Sequence, residues 1–240
     1  MVMASWDDVP HLTEKDKADL RASYPAYQVD ARTKGVPQLG SGAIYPVPES
    51  DIVVEPFDIP RHWRRAYGLD VGWNRTAAIW GATDPDSRTT YLYAEHYRGQ
   101  AEPSIHADAI KSRGVWIPGV VDPAARGRGQ RDGEQLLQSY MDLGLDLIPA
   151  NNAVEAGIYE VWQDLSAGRI KVFKTLQSWL AEFRIYRRDE KGRIVKDKDH
   201  AMDATRYLRM TGLARAIAAP SEDDDYRADS AIGRSAVGGY

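Results

Sequence analysis

Two short apolar runs that end on an aspartate place the strongest constraint on how this chain can fold. Asp70 follows a run that begins at Ala66, and Asp122 follows one that begins at Val115. Each aspartate is followed closely by a Gly or Pro turn signal, so each is predicted to lie near the end of a buried strand. Asp203 lies instead in a helical pattern, behind Asp199 and His200.

Carboxylates in such places need a partner of opposite charge. A buried strand end is costly for a carboxylate unless a cation or hydrogen bonds compensate it. If Asp70, Asp122 and Asp203 converge, they would be tolerated mainly around hard divalent metal ions. That arrangement is typical of two-metal hydrolysis of phosphodiester bonds. Because the three charges repel one another, removing one is expected to stabilise the metal-free protein.

Each of these residues also has a purely structural interpretation. Asp70 and Asp122 could be turn aspartates that accept backbone hydrogen bonds. Asp199 is well placed as the N-cap of the helix that follows it. His200 could be a ligand, a proton carrier or only a surface residue. The third metal ligand is therefore either Asp203 or Asp199.

Composition excludes several other classes of protein. The chain has 240 residues, 43% of them hydrophobic and 28% charged, which is ordinary for a folded domain with appendages. It has no Cys, which excludes disulfides, thiolate zinc sites and a Cys nucleophile. No apolar run approaches the roughly 20 residues of a membrane span, and the N-terminus does not resemble a signal peptide. A net charge of −4 argues against electrostatic coating of nucleic acid but leaves room for a local basic surface.

The chain divides into three regions. Residues 1–60 are rich in Gly and Pro and are predicted to be a linker or docking segment, with short strands at Ala43–Val47 and Ile52–Phe57. Residues 61–219 are predicted to form the main domain. Residues 220–240 are rich in Asp, Gly and Ser and are predicted to be a disordered tail.

The main domain opens with three predicted strands and then alternates helices with strands. The opening strands, Ala66–Val71, Ala77–Ala82 and Thr89–Tyr97, form an antiparallel meander. A buried strand is predicted at Val115–Val121, and a long closing helix from Asp199 to about Ala219. This order predicts an α/β fold in which a mixed β-sheet is flanked by helices on both faces.

Two basic segments are predicted to contact a polyanion. Arginines follow Asp122 in a Gly-rich loop, where the backbone can approach a phosphate closely. More arginines lie in a predicted hairpin, formed by Phe183–Arg187 and Arg193–Lys196, just before the third acidic segment. The predicted contacts are Arg126, Arg128 and Arg131 in the loop, and Arg187, Arg188 and Arg193 in the hairpin. The simpler alternative for both segments is a solvated basic surface.

Together, the segments around Asp70, Asp122 and Asp203 resemble the nuclease domain of the large terminase subunits of tailed bacteriophages. The resemblance covers about Trp63 to Ala219, and the segment 1–60 resembles the end of the ATPase domain of those proteins. It implies an RNase H-like fold and an endonuclease with little sequence preference. Such an enzyme cuts concatemeric double-stranded DNA during viral genome packaging.

The resemblance also implies ligands, partners and a location. Two Mg²⁺ or Mn²⁺ ions would be held by Asp70, Asp122 and Asp203, with His200 nearby and Asp199 as the alternative ligand. The implied partners are double-stranded DNA, the portal protein, the small terminase subunit and a separate or missing ATPase domain. The implied location is the host cytoplasm.

One feature departs from that family, and two other functions stay open. The sequence contains no phosphate loop of the Gly-x-x-x-x-Gly-Lys-Ser/Thr type, so it is expected to hydrolyse DNA without translocating it. The chain would then be an excised domain or a split gene product. Alternatively, it could be another RNase H-like nuclease, such as a junction resolvase or a hybrid nuclease. It could also be a non-catalytic docking module of the packaging machine.

Overall fold

A seven-stranded mixed sheet is the framework of the computed structural model, which describes residues 13–23, 42–123 and 132–220. Its strands follow one another across the sheet in the order β1-β7-β4-β3-β2-β5-β6. In chain order they are β1 Val53–Val54, β2 Arg64–Asp70, β3 Thr76–Thr83, β4 Thr90–Arg98, β5 Gly119–Val121, β6 Leu147–Pro149 and β7 Ile170–Phe173.

The centre of the sheet is the antiparallel meander β2-β3-β4. Its second turn is stabilised by Asp84, whose carboxylate accepts hydrogen bonds from the Asp86 backbone N–H and the Ser87 hydroxyl. On either side of the meander the pairing is parallel: β5 joins β2 and β6 joins β5, while β7 joins β4 and β1 joins β7. The sheet is therefore mixed, with its short parallel strands at the two edges.

Helices cover both faces of this sheet. They are α1 Glu14–Ser23, α2 Glu49–Ile52, α3 Pro103–Lys111, α4 Asp132–Asp142, α5 Val154–Ser166, α6 Gln177–Ile185, α7 His200–Tyr207 and α8 Leu213–Arg215, with a π-helical turn at Leu208–Gly212 between α7 and α8. Along β3, Ala77 and Ile79 belong to the core that also contains residues of α5, α6 and α7. The alternate residues Ala78 and Trp80 belong to the core shared with α3 and α4. The predicted fold class, a mixed sheet with helices on both faces, is confirmed.

Residues 44–54 pack directly onto this core. Ile44, Tyr45 and Ile52 are buried in the same cluster as the residues of α6. The Glu49 carboxylate forms a two-pronged ion pair with Arg184 of α6, at 2.6 and 2.7 Å. This part of the segment 1–60 therefore completes the sheet edge through β1, while the domain boundary near residue 60 stays a prediction.

Four predicted elements differ in the structure. Ala43 forms only an isolated bridge with Arg187, and the predicted strand 52–57 is reduced to β1, because α2 already uses Ile52. The strand predicted at 115–121 begins only at Gly119. The predicted hairpin keeps its turn, but its first arm is shortened to residues 187–189, which pair with residues 193–195. The buried face of Trp179, Leu180 and Phe183 instead continues α6 to Ile185.

The predicted closing helix is interrupted and ends earlier than about Ala219. α7 ends at Tyr207, a π-helical turn and α8 continue to Arg215, and Ile217 then bridges to Arg65 near the start of β2. From residue 221 onward, the predicted tail 220–240 lies outside the described residues. Among the described helices, none combines the length and apolar character that a membrane crossing requires.

Candidate active site

Asp70 and Asp122 lie side by side at one edge of the sheet. Asp70 is the last residue of β2, and Asp122 directly follows β5, which runs parallel to β2 with Leu69 opposite Val121. The Asp122 backbone N–H donates a hydrogen bond to the Leu69 carbonyl at 3.1 Å. Because parallel strands end at the same edge, the hydrogen-bond ladder itself places the two carboxylates together. Both aspartates therefore lie at the ends of strands, as the sequence predicts.

Asp203 reaches this edge because α7 packs unusually close to β2. At Gly68, a Cβ atom would meet the Ala204 carbonyl oxygen at 2.0 Å and the Leu208 nitrogen at 2.8 Å. Only glycine permits that approach of helix backbone to strand backbone. Asp203, in the first turn of α7, is only 9% exposed, and its charge acts directly on Asp70.

His200 forms the closest contact with Asp70. Its Nδ1 atom lies 2.8 Å from Oδ2 of Asp70, and since an ionised carboxylate can only accept, Nδ1–H donates. Burial raises the pKa of Asp70, the hydrogen bond from His200 opposes this rise, and the charges of Asp203 and Asp122 add to it. The same hydrogen bond raises the pKa of His200. The two residues therefore form one partly buried, hydrogen-bonded pair.

The oxygens of Asp203 and Asp199 attract cationic side chains. Arg206 contacts Asp203 at 2.9 Å, and the Lys196 amino group lies 3.2 Å from Asp203 and 2.9 Å from Asp199. Lys196 thus stands between two carboxylates, in a place that already selects a positive charge. Asp199 occupies the N-cap position, as predicted, but its carboxylate is turned to Lys196.

Glu182 is a site residue that the sequence did not reveal. It lies on α6, is 2% exposed, and accepts hydrogen bonds from the backbone N–H groups of Ala201 and Met202. It therefore caps α7 from a neighbouring helix. One sequence signal could have revealed Glu182: it lies three residues after Trp179, which puts an acidic residue on the apolar face of a predicted helix.

Only some of the arginines predicted to contact a polyanion lie among the described residues. Arg126, Arg128 and Arg131 lie outside the described residues. Arg188 is bound to Glu155 on α5 and to the Gly192 carbonyl. The remaining predicted contacts, Arg187 and Arg193, lie on the two arms of the short hairpin, where Arg193 is exposed.

The donor set suits a hard divalent cation. Asp70 and Asp122 offer carboxylate oxygens at one edge, Asp203 faces them from α7, and the lysine between Asp203 and Asp199 marks a preference for positive charge. Within residues 13–23, 42–123 and 132–220, however, no three His, Asp or Glu side chains already form a cluster that could hold a metal ion. Two of the three carboxylates already have partners: Oδ2 of Asp70 is bound by His200, and both oxygens of Asp203 are bound by cations.

The sheet order, the helices on both faces and the acidic strand ends define an RNase H-like α/β protein. The family model described as "Terminase RNaseH-like domain" matches residues 67–211, and the chain belongs to that family. This span includes Asp70, Asp122, His200 and Asp203. The recognition made from the three acidic segments is therefore confirmed.

Individual relatives agree with this assignment. The large terminase subunit of Salmonella phage P22 is 35% identical over 230 residues, which is 90% of this chain and 46% of that protein. The chain thus spans about half the length of the curated relatives it matches. The solved structure of the P22 large terminase nuclease domain matches with a TM-score of 0.69 and 35% identity, covering 75% of this chain and 96% of that one. The large terminase nuclease domain from bacteriophage SPP1 with bound Mn has the same fold, at a TM-score of 0.52 and 20% identity, covering 67% and 96%.

Proposed function

We propose that this chain is the nuclease part of a phage large terminase subunit and hydrolyses phosphodiester bonds of double-stranded DNA with the help of divalent metal ions. The observation that carries the proposal is the shared sheet edge of Asp70 and Asp122, with Asp203 facing it from α7. The Mn²⁺ in the SPP1 relative and the P22 nuclease domain at 35% identity support it. We expect little sequence preference, since no predicted element resembles a helix that reads the major groove.

In this proposal, the carboxylates hold the metal and the neighbouring residues orient them. Asp70, Asp122 and Asp203 would bind two Mg²⁺ or Mn²⁺ ions, with Asp199 as the alternative third ligand. When bound, such ions lower the pKa of a water molecule and stabilise the charge that develops on phosphate oxygens. His200 fixes the orientation of Asp70 through Nδ1–H, which leaves Nε2 as the proton acceptor of the neutral ring. Lys196 balances the negative charge of Asp203 and Asp199.

The proposed partners follow from the family rather than from this fold. We propose that the chain works on packaged viral DNA together with the portal protein, the small terminase subunit and an ATPase domain, in the host cytoplasm. Arg126, Arg128 and Arg131 are proposed to contact DNA phosphates beside the metal ions, and Arg187 and Arg193 farther along the strand.

The deciding experiment is plasmid cleavage by chelator-treated protein. We expect no cleavage without added metal, recovery with Mn²⁺ or Mg²⁺, and no recovery with Ca²⁺, whose looser coordination would misplace the attacking water. Asp70→Asn and Asp122→Asn should be inactive, and the exposed turn variant Asp86→Asn should match the wild type. Cleavage that persists in excess chelator would eliminate the metal mechanism. A folded wild-type protein that binds DNA but never cuts it would favour a docking module.

A further inference from the structure

A groove of about 930 Å³ lies beside the acidic edge. Its walls are the turn between β2 and β3, the exposed side of α6, and the segment that leads into α7. The groove ends at Asp199 and His200, so it opens directly onto the proposed site of hydrolysis. A polymer bound at that site has to leave it along the protein surface, and this groove is one path it can follow.

The turn on one side of the groove is held firmly in place. A Cβ at Gly99 would meet the Asn74 carbonyl oxygen at 2.0 Å, so the strand segment after β4 packs tightly against the turn. The Gln100 backbone N–H donates to the Trp73 carbonyl at 2.8 Å, and the Thr76 hydroxyl donates to the Gly72 carbonyl at 3.1 Å. The backbone that carries Trp73 is therefore fixed before any ligand binds, which lowers the entropic cost of binding.

Trp73 is the largest side chain that this turn exposes. It is 64% exposed, in the same turn as the groove residues Asn74 and Arg75 and three residues after Asp70. An isolated exposed apolar residue is ordinary on a protein surface. An indole on a fixed turn beside a carboxylate edge is suited to a flat, hydrophobic ligand surface, and the unpaired nucleobases of a single DNA strand present such a surface at every position.

Among the charged groups of the groove that are not bonded to other described residues, positive charges outnumber negative ones, which favours binding of a polyanion. Glu182 is occupied by Tyr97 and the amides of α7, and Asp199 is paired with Lys196. The remaining charges in the wall are the cations Arg75 and Lys198 and the single acid Asp197. The Arg75 guanidinium lies 4.7 Å from the centre of the Tyr97 ring, which holds it in the groove wall.

The N-terminus of α6 contributes no anion site of its own to this wall. The backbone N–H groups of Ser178 and Trp179 donate to the Glu95 carboxylate, at 3.0 and 2.9 Å. Phosphate binding in the groove therefore depends on side chains, chiefly those of Arg75 and Lys198.

We propose that the groove binds an unpaired DNA strand next to the scissile phosphate, with Trp73 of the adjoining turn stacking on a nucleobase and Arg75 and Lys198 of the groove wall contacting phosphates. The proposal rests on the nuclease function proposed above and adds the route of the substrate and an aromatic contact to it. It separates two kinds of contact, one dependent on salt and one independent of it.

The test is a titration of chelator-treated protein with a fluorescein-labelled single-stranded DNA oligonucleotide at several salt concentrations. Trp73→Ala should raise Kd about fivefold or more at every salt concentration, as expected for loss of one stacked base, and Trp73→Phe should recover most of the affinity. Arg75→Gln and Lys198→Gln should each flatten the slope of log affinity against log salt by about 0.7, because each removes one phosphate contact to a single strand. Trp73→Ala should leave that slope unchanged.

Matched controls lie far from the groove. Tyr159→Ala removes another exposed aromatic side chain, on α5, and Arg88→Gln removes an exposed arginine from the turn at the opposite end of β3. Both should bind like the wild type. Equal affinities for Trp73→Ala and Tyr159→Ala would overturn the proposal, as would the absence of DNA binding by every variant. The plasmid assay then tells the two proposals apart. If the wild type cleaves DNA in a metal-dependent way but Trp73→Ala binds DNA normally, the groove proposal is wrong and the nuclease proposal stands. The exposed turn would then be more suited to a protein partner.

Discussion

The carboxylate of Glu182 accepts a hydrogen bond from the backbone N–H of Ala201 at 2.6 Å. Its other oxygen accepts the hydroxyl hydrogen of Tyr97 on β4. One buried side chain therefore joins the central sheet, α6 and the start of α7. Since α7 carries His200 and Asp203, the orientation of both depends on this contact.

Replacement of Glu182 should cost stability as well as activity. Glu182→Ala leaves the buried Ala201 N–H and the partly buried Tyr97 hydroxyl without their acceptor, which we expect to cost on the order of 3 kcal/mol in urea unfolding. Glu182→Gln retains an acceptor oxygen and should lose less. The exposed variant Glu190→Ala serves as the control. If Glu182→Ala unfolds at the same urea concentration as that control, the capping role is wrong.

Asp203 should be more important for folding than the repulsion among carboxylates suggests. The sequence predicts that removing it stabilises the metal-free protein, but Asp203 is the partner of Arg206, which is 1% exposed. Asp203→Ala leaves that guanidinium buried without its carboxylate, at a cost on the order of 3 kcal/mol. Asp203→Asn keeps one acceptor and should fold better while remaining inactive. Thermal unfolding of the two variants beside Asp70→Asn measures the difference, and a more stable Asp203→Ala would restore the simple repulsion argument.

A histidine pair away from the site should make stability dependent on pH. His96 Nε2 lies 2.8 Å from His106 Nδ1. Burial lowers the pKa of His96 to about 4, helped by the charges of His106, Arg113 and Arg98, and burial also lowers the pKa of His106. The folded state therefore favours neutral rings, whereas the unfolded chain binds protons near pH 6.5.

The sign of the effect follows from this difference in proton binding. The pair contributes fully to the free energy of unfolding above about pH 6.5. This contribution is lost as the pH falls towards about 4, with a slope of up to about 1.4 kcal/mol per pH unit for each proton. Urea unfolding between these pH values should show a steeper loss for the wild type than for His96→Gln. Parallel curves for the two proteins would contradict the prediction.

Gly68 should not tolerate even a methyl group. Gly68→Ala places a Cβ 2.0 Å from the Ala204 carbonyl oxygen, so α7 has to move away from β2. We expect loss of cleavage and a clear drop in Tm. Gly212→Ala is the matched comparison, because its nearest contact is a Leu208 side-chain atom at 3.0 Å, which can shift. Equal Tm values for the two variants would mean that the close approach is dispensable.

The arginines of the predicted hairpin should contribute unequally to DNA binding. Arg188 is held by Glu155, so Arg188→Gln alone should leave the salt dependence of binding unchanged. The triple variant, in which Arg187, Arg188 and Arg193 become Gln, should flatten the slope by about 0.9 for each remaining contact. Binding to a labelled duplex at several salt concentrations distinguishes these outcomes. An unchanged slope for the triple variant would mean that this segment does not contact DNA, and a contact with a packaging partner would then be the better interpretation.

The sequence predicts the acidic edge well because its signals are local. Asp70 and Asp122 each end an apolar run, and parallel pairing of those runs is enough to bring them together. Glu182 could not be predicted in the same way, because its role depends on α7, which begins eighteen residues later in the chain. The π-helical turn at Leu208–Gly212 has a similar origin: a Cβ at Gly81 would lie 2.9 Å from a Leu208 side-chain atom, so packing against the sheet decides the backbone there. Tertiary contacts of this kind leave no periodic pattern in the sequence.

The parallel pairing of β2 and β5 also fixes a length. Adjacent strands lie about 4.8 Å apart whatever their side chains are, so the spacing between the roots of Asp70 and Asp122 is a property of the backbone. The pairing of the two strands thus sets the distance between the backbone positions that carry the two carboxylates. The segment after Pro123 can change in length without altering that spacing, whereas a one-residue slip of β5 against β2 would turn Asp122 to the opposite face. Insertions and deletions among related proteins should therefore fall after Pro123 and spare the three-residue strand before it.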